Sequence, residues 1–335
     1  MKIEIYHISD QPFDDWLKGH AGVQSISIEG HLPSERLYEF DVLASLSGAT
    51  ISISDLIIDF ANEVIKGAES ELEKDLIEEY YWQIGFESNK QLPVLFVLYA
   101  NKKYGSSFEV TERYIVSSDG KAILYVFEAG RELSIEEGFE SIADYACRMR
   151  RNLQKVYLPE SLQLIGRYAF EECNDLSEVK FPMVMESIGE GAFCDCDFTS
   201  VRLPEGIREI PCDCFGHSFL VHFNIPSTVK VIEELGLGWL NLVGNVIVPE
   251  GVEEIGHETF CNVRRIVFPS TLKVLDEYFY TEYQVGDYEL VPYIEVHPDN
   301  PYFYSKDGTI YRRGETKPYT PFPFNRDKWG DVFDE

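Results

Sequence analysis

One pattern constrains this 335-residue chain more than any other. The stretches "VYLPESLQLIGRYAFEEC" (156–173), "VKFPMVMESIGEGAFCDC" (179–196) and "VRLPEGIREIPCDCF" (201–215) align without gaps. Each opens on apolar-x-apolar-Pro and places an Ile seven residues after the second apolar residue; a small residue and Phe follow four and five residues later, Cys214 standing in the small slot of the third. The frame continues in "FNIPSTVKVIEELGL" (223–237), "VIVPEGVEEIGHETF" (246–260) and "IVFPSTLKVLDEYFY" (266–280). Upstream, "LSIEEGFESIADYAC" (133–147) fits with Glu136 in place of the proline. The apolar residues before the proline position, Ile135, Leu158, Phe181, Leu203, Ile225, Val248 and Phe268, step by 23, 23, 22, 22, 23 and 20. A degenerate eighth unit carries Val296. A period of this length marks a stacked-repeat architecture, because no single unit can bury its apolar side alone.

Each unit reads as a short strand stopped by proline, a turn and a short helix. Proline has no N–H to give a ladder, so pairing ends there. In "LQKVYLP" the alternation predicts Leu153, Val156 and Leu158 inside, with Lys155 and Tyr157 outside. Ile165, Ala169, Phe170 and Cys173 fall at helix spacing and predict one apolar face.

These residues, in the pattern L-x-x-V-x-L-P-x-x-[LVI]-x-x-I-G-x-x-A-F-x-x-C, resemble the BspA-type leucine-rich repeat of bacterial surface and interaction proteins over residues 113–313. The resemblance implies a leucine-rich-repeat solenoid of about eight turns. Repeat four (Pro211 for Gly, Cys214 for Ala), repeat five ("EELGL") and repeat seven ("DEYFY") depart from the motif, so helix geometry is in doubt there. Ser-x-Asp-Gly recurs in "VSSDGKAILYV" (116–126) and "YSKDGTIYRR" (304–313), a hairpin signal expected to cap the array at both ends.

Residues 1–112 lack the repeat and read as an α+β domain, so the chain as a whole is classed α+β. "IEIYHI", "VQSISIEG", "LYEFDVLAS", "ATISISD" and "LPVLFVLYA" predict strands; "DLIIDFANEVIKG" and "ESELEKDLIEEYYWQIG" predict helices. Asp55 and Ser70 stand where helix N-caps are expected, Gly67 and Gly85 where helices should stop. The stretch 33–58 is faintly similar to the opening of type VI secretion spike and phage tail-hub proteins. Residues 314–335 form a Pro-rich, aromatic tail, read either as a cover along the array or as a recognition segment.

The net charge of −29 disfavours nucleic acid and anionic membrane surfaces as partners. The longest apolar run, 92–100, is too short to span a bilayer, and the N-terminus has no signal-like apolar stretch. With seven cysteines, an odd number, the expected compartment is the cytoplasm; the resemblance implies the alternative, a cell-surface or secreted protein. Phosphate loops, dinucleotide fingerprints, nucleophile elbows and His-Glu-x-x-His helices are missing, so no enzyme, catalytic residue or cofactor is expected.

The triplets "CDC" at 194–196 and 212–214 raise the question of a four-thiolate zinc site. Counted from the motif Phe, their sulfurs fall at +1, +3, −3 and −1. On a helical reading Cys147, Cys173, Cys196 and Cys214 face the core, whereas Cys194, Cys212 and Cys261 turn away. Four sulfurs split in this way do not converge on one ion, so no metal is expected. Cys196 and Cys214 should be buried, on one face of adjacent turns.

Outward strand positions form two ladders, Tyr157, Lys180, Arg202, Asn224, Ile247, Val267 and Lys155, Glu178, Ser200, His222, Asn245, Arg265. Lys155, Tyr157, Lys180, Arg202, His222, Asn224 and Arg265 are the candidate partner-binding residues, toward a protein or a glycan. The basic residues equally suit a simple balancing of nearby acids. Ile247 and Val267 suggest that this end is covered by a neighbour or by the tail. The expected function is non-enzymatic binding through the strand face. Two alternatives stand beside it: a component of a secretion-system or phage-like assembly attached by residues 1–112, and an enzyme with a site in that domain.

Overall fold

The computed structural model describes residues 2–8, 11–60, 63–64, 91–218, 220–237, 244–261, 263–280, 283–285 and 288–320. The chain divides into two compact units, 1–129 with 138–150, and 130–137 with 151–335.

In the first unit Ser25–Pro33 is the central strand, a near-continuous apolar run on its buried face. Glu4–His7, Thr50–Ser52 and Leu56–Phe60 all pair with it in parallel. Thr50–Ser52 leads by antiparallel pairing to Ser107–Val110, Tyr114–Ser117 and Ala122–Val126. The last two form the Asp-Gly hairpin, with Gly120 at φ 72°.

Three sequence expectations are corrected here. "LYEFDVLAS" is not a strand but part of a 3-10 helix, Ser34–Ser45, whose buried residues Leu37, Phe40 and Leu43 recur every third position. That spacing is the period of a 3-10 helix and places the three on one edge. "DLIIDFANEVIKG" does not open a helix: Leu56–Phe60 is a strand, with Leu56 and Ile58 buried and Ile57 half-buried, a period of two. Asp55 therefore precedes a strand and caps no helix. "LPVLFVLYA" is not a strand but the α-helix Val94–Ala100, entered from Pro93, with Val94 to Tyr99 all buried. A helix that is apolar all round belongs inside the unit, and periodicity alone cannot separate it from a buried strand. The expected helix 69–85, with Ser70, and the positions Gly67 and Gly85 lie outside the described residues.

The second unit carries most of the repeats. The full repeats have a first strand at the Pro-stopped segment and a two-residue second strand ending on the motif Ile, or on Leu275 in the seventh. First strands pair parallel and in register: Glu132–Ser134 with Lys155–Tyr157 and Glu178–Lys180; Ser200–Arg202 with His222–Asn224; Asn245–Ile247 with Arg265–Phe268 and Tyr293–Val296. Second strands Glu209–Ile210, Val231–Ile232, Glu254–Ile255 and Val274–Leu275 form an unbroken parallel run. Leu153 and Val156 are fully buried and Leu158 nearly so, as the alternation predicts.

The expected short helices are absent from the described repeats; consecutive turns replace them. Residues two before and two after the motif Phe take left-handed backbone, for example Tyr168 at φ 52° with Glu172 at 54°, and Asp213 at 51° with His217 at 57°. This turns alternate N–H groups toward the next repeat. Tyr168, Phe170 and Glu172 donate to the carbonyls of Glu190, Ala192 and Cys194, and Gly191, Phe193 and Asp195 donate to those of Cys212, Cys214 and Gly216. A helix would have spent those N–H groups internally. The core behind the turns is a file of rings: Phe170, Phe193 and Phe215 are fully buried and stack with centroids 5.3 and 5.6 Å apart, both pairs within 5° of parallel. At the far end Phe303–Lys306 and Thr309–Arg312 form the second Asp-Gly hairpin.

Candidate interaction surface

The first-strand face presents the two ladders in the expected register, Lys155 beside Glu178 and Tyr157 beside Lys180, Ser200 beside His222 and Arg202 beside Asn224. Their environments differ. Lys155 pairs with Glu178 at 3.0 Å, and Arg265 holds Glu295 through two contacts of 3.1 and 2.7 Å. Hydrogen bonding to those carboxylates raises both basic pKa values. These two residues balance neighbouring acids. Lys180, Arg202 and His222 are exposed and make no ion pair among the described residues.

The face is not continuous. Among the described residues no strand pairing joins His222–Asn224 to Asn245–Ile247, although the second strands of the same repeats, Val231–Ile232 and Glu254–Ile255, stay paired. The break opens a groove of about 290 Å³. Ser200, Arg202, His222, Asn224 and Asn245 supply its polar lining, and Phe223 and Ile247 part of its apolar lining. Ile247 is 70% exposed and Val221 47%, so apolar surface flanks the opening. Among the described residues, backbone N–H and C=O groups on the facing strand edges lack the ladder partners they have elsewhere, which suits an extended chain.

Of the candidate residues, the structure gathers Arg202, His222 and Asn224 into the groove; Lys155, Tyr157 and Lys180 lie on a different run of paired strands, and Arg265 on a third. Sequence reasoning missed Phe223, Ile225, Leu237 and Val246 as lining. The available signal was the lapse of the motif in "EELGLGWLNLVG", where Leu237 takes the Phe slot. The tail begins against the end hairpin. Tyr319 donates through its N–H to Ile310 at 2.9 Å and through its hydroxyl to the Leu275 carbonyl, and its ring meets Phe303 at 5.3 Å. Residues 321–335 lie outside the described residues.

All seven cysteines are free. Cys196 and Cys214 are buried, as their positions predict, and burial pushes both thiols well up. Cys194 and Cys261, expected to face outward, are buried too. The consecutive turns bend the +1 position under the next repeat: a Cβ on Gly216 would lie 3.0 Å from the Cys194 sulfur, so the following turn covers it. Cys212 is half-buried, and its thiol is pushed up to about 12 by burial and by Asp213.

A family model described as a BspA type Leucine rich repeat region matches residues 140–263 and 239–294, with six copies. Residues 140–294 belong to the BspA-type leucine-rich repeat family. Among solved structures, these BspA-type repeats are similar to a leucine rich cell surface protein from Faecalibacterium prausnitzii A2-165, at 18% identity over 62% of this chain and 58% of that one, with a TM-score of 0.42. They are also similar to leucine-rich repeat proteins from Eubacterium ventriosum (20% identity, 55% of this chain, 44% of that one, TM-score 0.34) and Bacteroides ovatus (18%, 52%, 59%, 0.30). The chain thus spans less than two thirds of the length of each. No curated protein matches it. Among the described residues no helix is long and apolar enough to cross a membrane.

Proposed function

We propose that the chain is a non-enzymatic binding protein whose BspA-type repeats form one solenoid of about eight turns and take an extended polypeptide segment on the first-strand face. The observation that carries the reading is the groove where His222–Asn224 and Asn245–Ile247 part. Apolar walls for a side chain, strand edges unpaired among the described residues for a backbone, and the uncompensated Arg202 guanidinium beside the His222 imidazole for a carboxylate meet there. A polypeptide fits this lining better than a glycan, which favours broad ring platforms, and Phe223 is half-buried.

The test is a selection of displayed random peptides on the wild-type chain, followed by affinity measurement on Arg202→Glu and Ile247→Asp. Both side chains are exposed, so folding should be kept, which a thermal melt checks. The selected peptides should lose about ten-fold or more of their affinity on each variant, the usual cost of removing a central contact. Equal binding to all three proteins would put the partner elsewhere.

A further inference from the structure

The stacked turns bring together a set of side chains that neither triplet contains by itself. Cys194, Asp195 and His217 each offer a ligand atom, and the three atoms lie within 4.8 Å of one another. Asp195 and His217 occupy the same +2 position of successive repeats, both with left-handed backbone, so one stacks on the other and His217 Nδ1 lies 3.2 Å from Asp195 Oδ1. The Cys194 sulfur lies 3.7 Å from the other Asp195 oxygen. Ligands around a tetrahedral zinc are about 3.3 Å apart for nitrogen and oxygen and about 3.5 Å for sulfur and oxygen, given bonds of about 2.0 and 2.3 Å. The Asp195 carboxylate, which meets the imidazole through one oxygen and the thiol through the other, must therefore turn to present a single oxygen to both.

A second observation marks the same place. Gly216 has no side chain, and a Cβ there would come within 2.7 Å of Asp213 Oδ1 and 3.0 Å of the Cys194 sulfur, so the turn that carries His217 packs directly on the thiol. Cys194 is buried, while the His217 side chain is 50% exposed, which leaves the cluster a way in from solvent.

We propose that Cys194, Asp195 and His217 form a zinc site whose fourth position is open to solvent. On binding, the Cys194 S–H proton leaves to solvent as the Zn–S bond forms. The thiolate, imidazole and carboxylate set suits this borderline ion better than calcium or magnesium, which take oxygen ligands. The site lies where it has mechanical consequence. Among the described residues neither Glu178–Lys180 with Ser200–Arg202 nor Ser187–Ile188 with Glu209–Ile210 is strand-paired. The turn bonds from Gly191, Phe193 and Asp195 cross that seam, and the ion would staple the same two repeats.

The full-length protein, stripped with a chelator, is titrated with Zn2+ against a chromophoric competitor and separately with Co2+. Wild type should take up a single ion, show a thiolate-to-cobalt charge-transfer band with tetrahedral d–d bands, and melt at higher temperature with Zn2+ present. Cys194→Ser should abolish the charge-transfer band. His217→Ala, at an exposed position, should keep the fold, weaken Zn2+ about ten-fold or more, and lose the thermal shift. Cys212→Ser, in the second triplet but outside the cluster, should change none of these. Unaltered Zn2+ affinity in His217→Ala, no uptake by wild type, or loss of the ion in Cys212→Ser would each overturn the proposal.

Discussion

Asn300 shows how much structure one side chain can organise. It is fully buried, and its amide nitrogen donates to the carbonyls of Pro269 and Leu272 at 2.9 and 3.0 Å. Its amide oxygen accepts the N–H groups of Tyr302 and Phe303, both at 2.8 Å. One residue thereby joins the last full repeat to the end hairpin, with every hydrogen-bonding site of the amide in use. Asn300→Ala leaves two carbonyls and two N–H groups without partners in a dry setting, which should cost about 3 kcal/mol. Urea denaturation monitored by tyrosine and tryptophan fluorescence checks this. A shift near zero would mean that water replaces the amide. Nothing in "HPDNPYF" announces the role, because an Asn between two prolines reads as an ordinary turn residue until its four partners are placed.

At the scale of the element, the glycines of the Ile-Gly motif owe their place to spacing between turns. A Cβ on Gly189 would stand 2.5 Å from Arg167 N and 2.6 Å from Gly166 C; on Gly256 it would stand 2.7 Å from Glu234 N. These are backbone atoms of the preceding turn, which cannot swing aside. Gly189→Ala should therefore destabilise the array by about 2 kcal/mol, the scale of overpacking. Gly244→Ala, which meets nothing within 4 Å, should be neutral or slightly stabilising. Parallel thermal melts of the two variants decide this, and equal shifts would remove the spacing account. The strands of the repeat were legible because a period of two survives in three residues, Lys155–Tyr157. The turns were not: apolar positions at −5, −1, 0 and +3 from Phe170 imitate a helix face, while the alternating left-handed residues leave no mark in letters such as Tyr168 and Glu172. The same blindness hid the ligand cluster, since "CDC" suggested sulfur ligands while the contact between Asp195 and His217 needs the stacking of +2 positions. The break that opens the groove was equally hidden, as the ladder reading carried straight from Asn224 to Ile247.

The whole molecule carries a net charge of −29, and stacking places acids of one repeat over acids of the next. Glu209 and Glu254 both flank Val231 in the second-strand ladder, and Glu209 meets Glu233 as well. Its carboxyl is raised above its ordinary value of 4.5, by burial first and then by hydrogen bonding and repulsion from Glu233. A raised carboxylate pKa means that the folded state holds the proton more tightly than the unfolded chain does. The charged form therefore weakens the fold above the folded pKa, and that penalty fades as pH falls toward 4.5. Asp213 acts in the same sense through burial, whereas Glu250 and Glu253 have lowered values and lose their stabilising contribution only in more acid solution. Stability should thus be greatest on the acid side of neutrality. Glu209→Gln isolates one contribution: it should melt above wild type at pH 7, with the difference closing as pH falls below 4.5. Salt should narrow the gap at pH 7 as well, because the Glu209 side chain reaches solvent even though its carboxyl is partly desolvated, so the repulsion from Glu233 is screened while the burial contribution remains. Melting curves for the two proteins across pH, at low and physiological ionic strength, make the comparison. A difference that stays constant with pH would assign the effect of Gln to packing and not to charge.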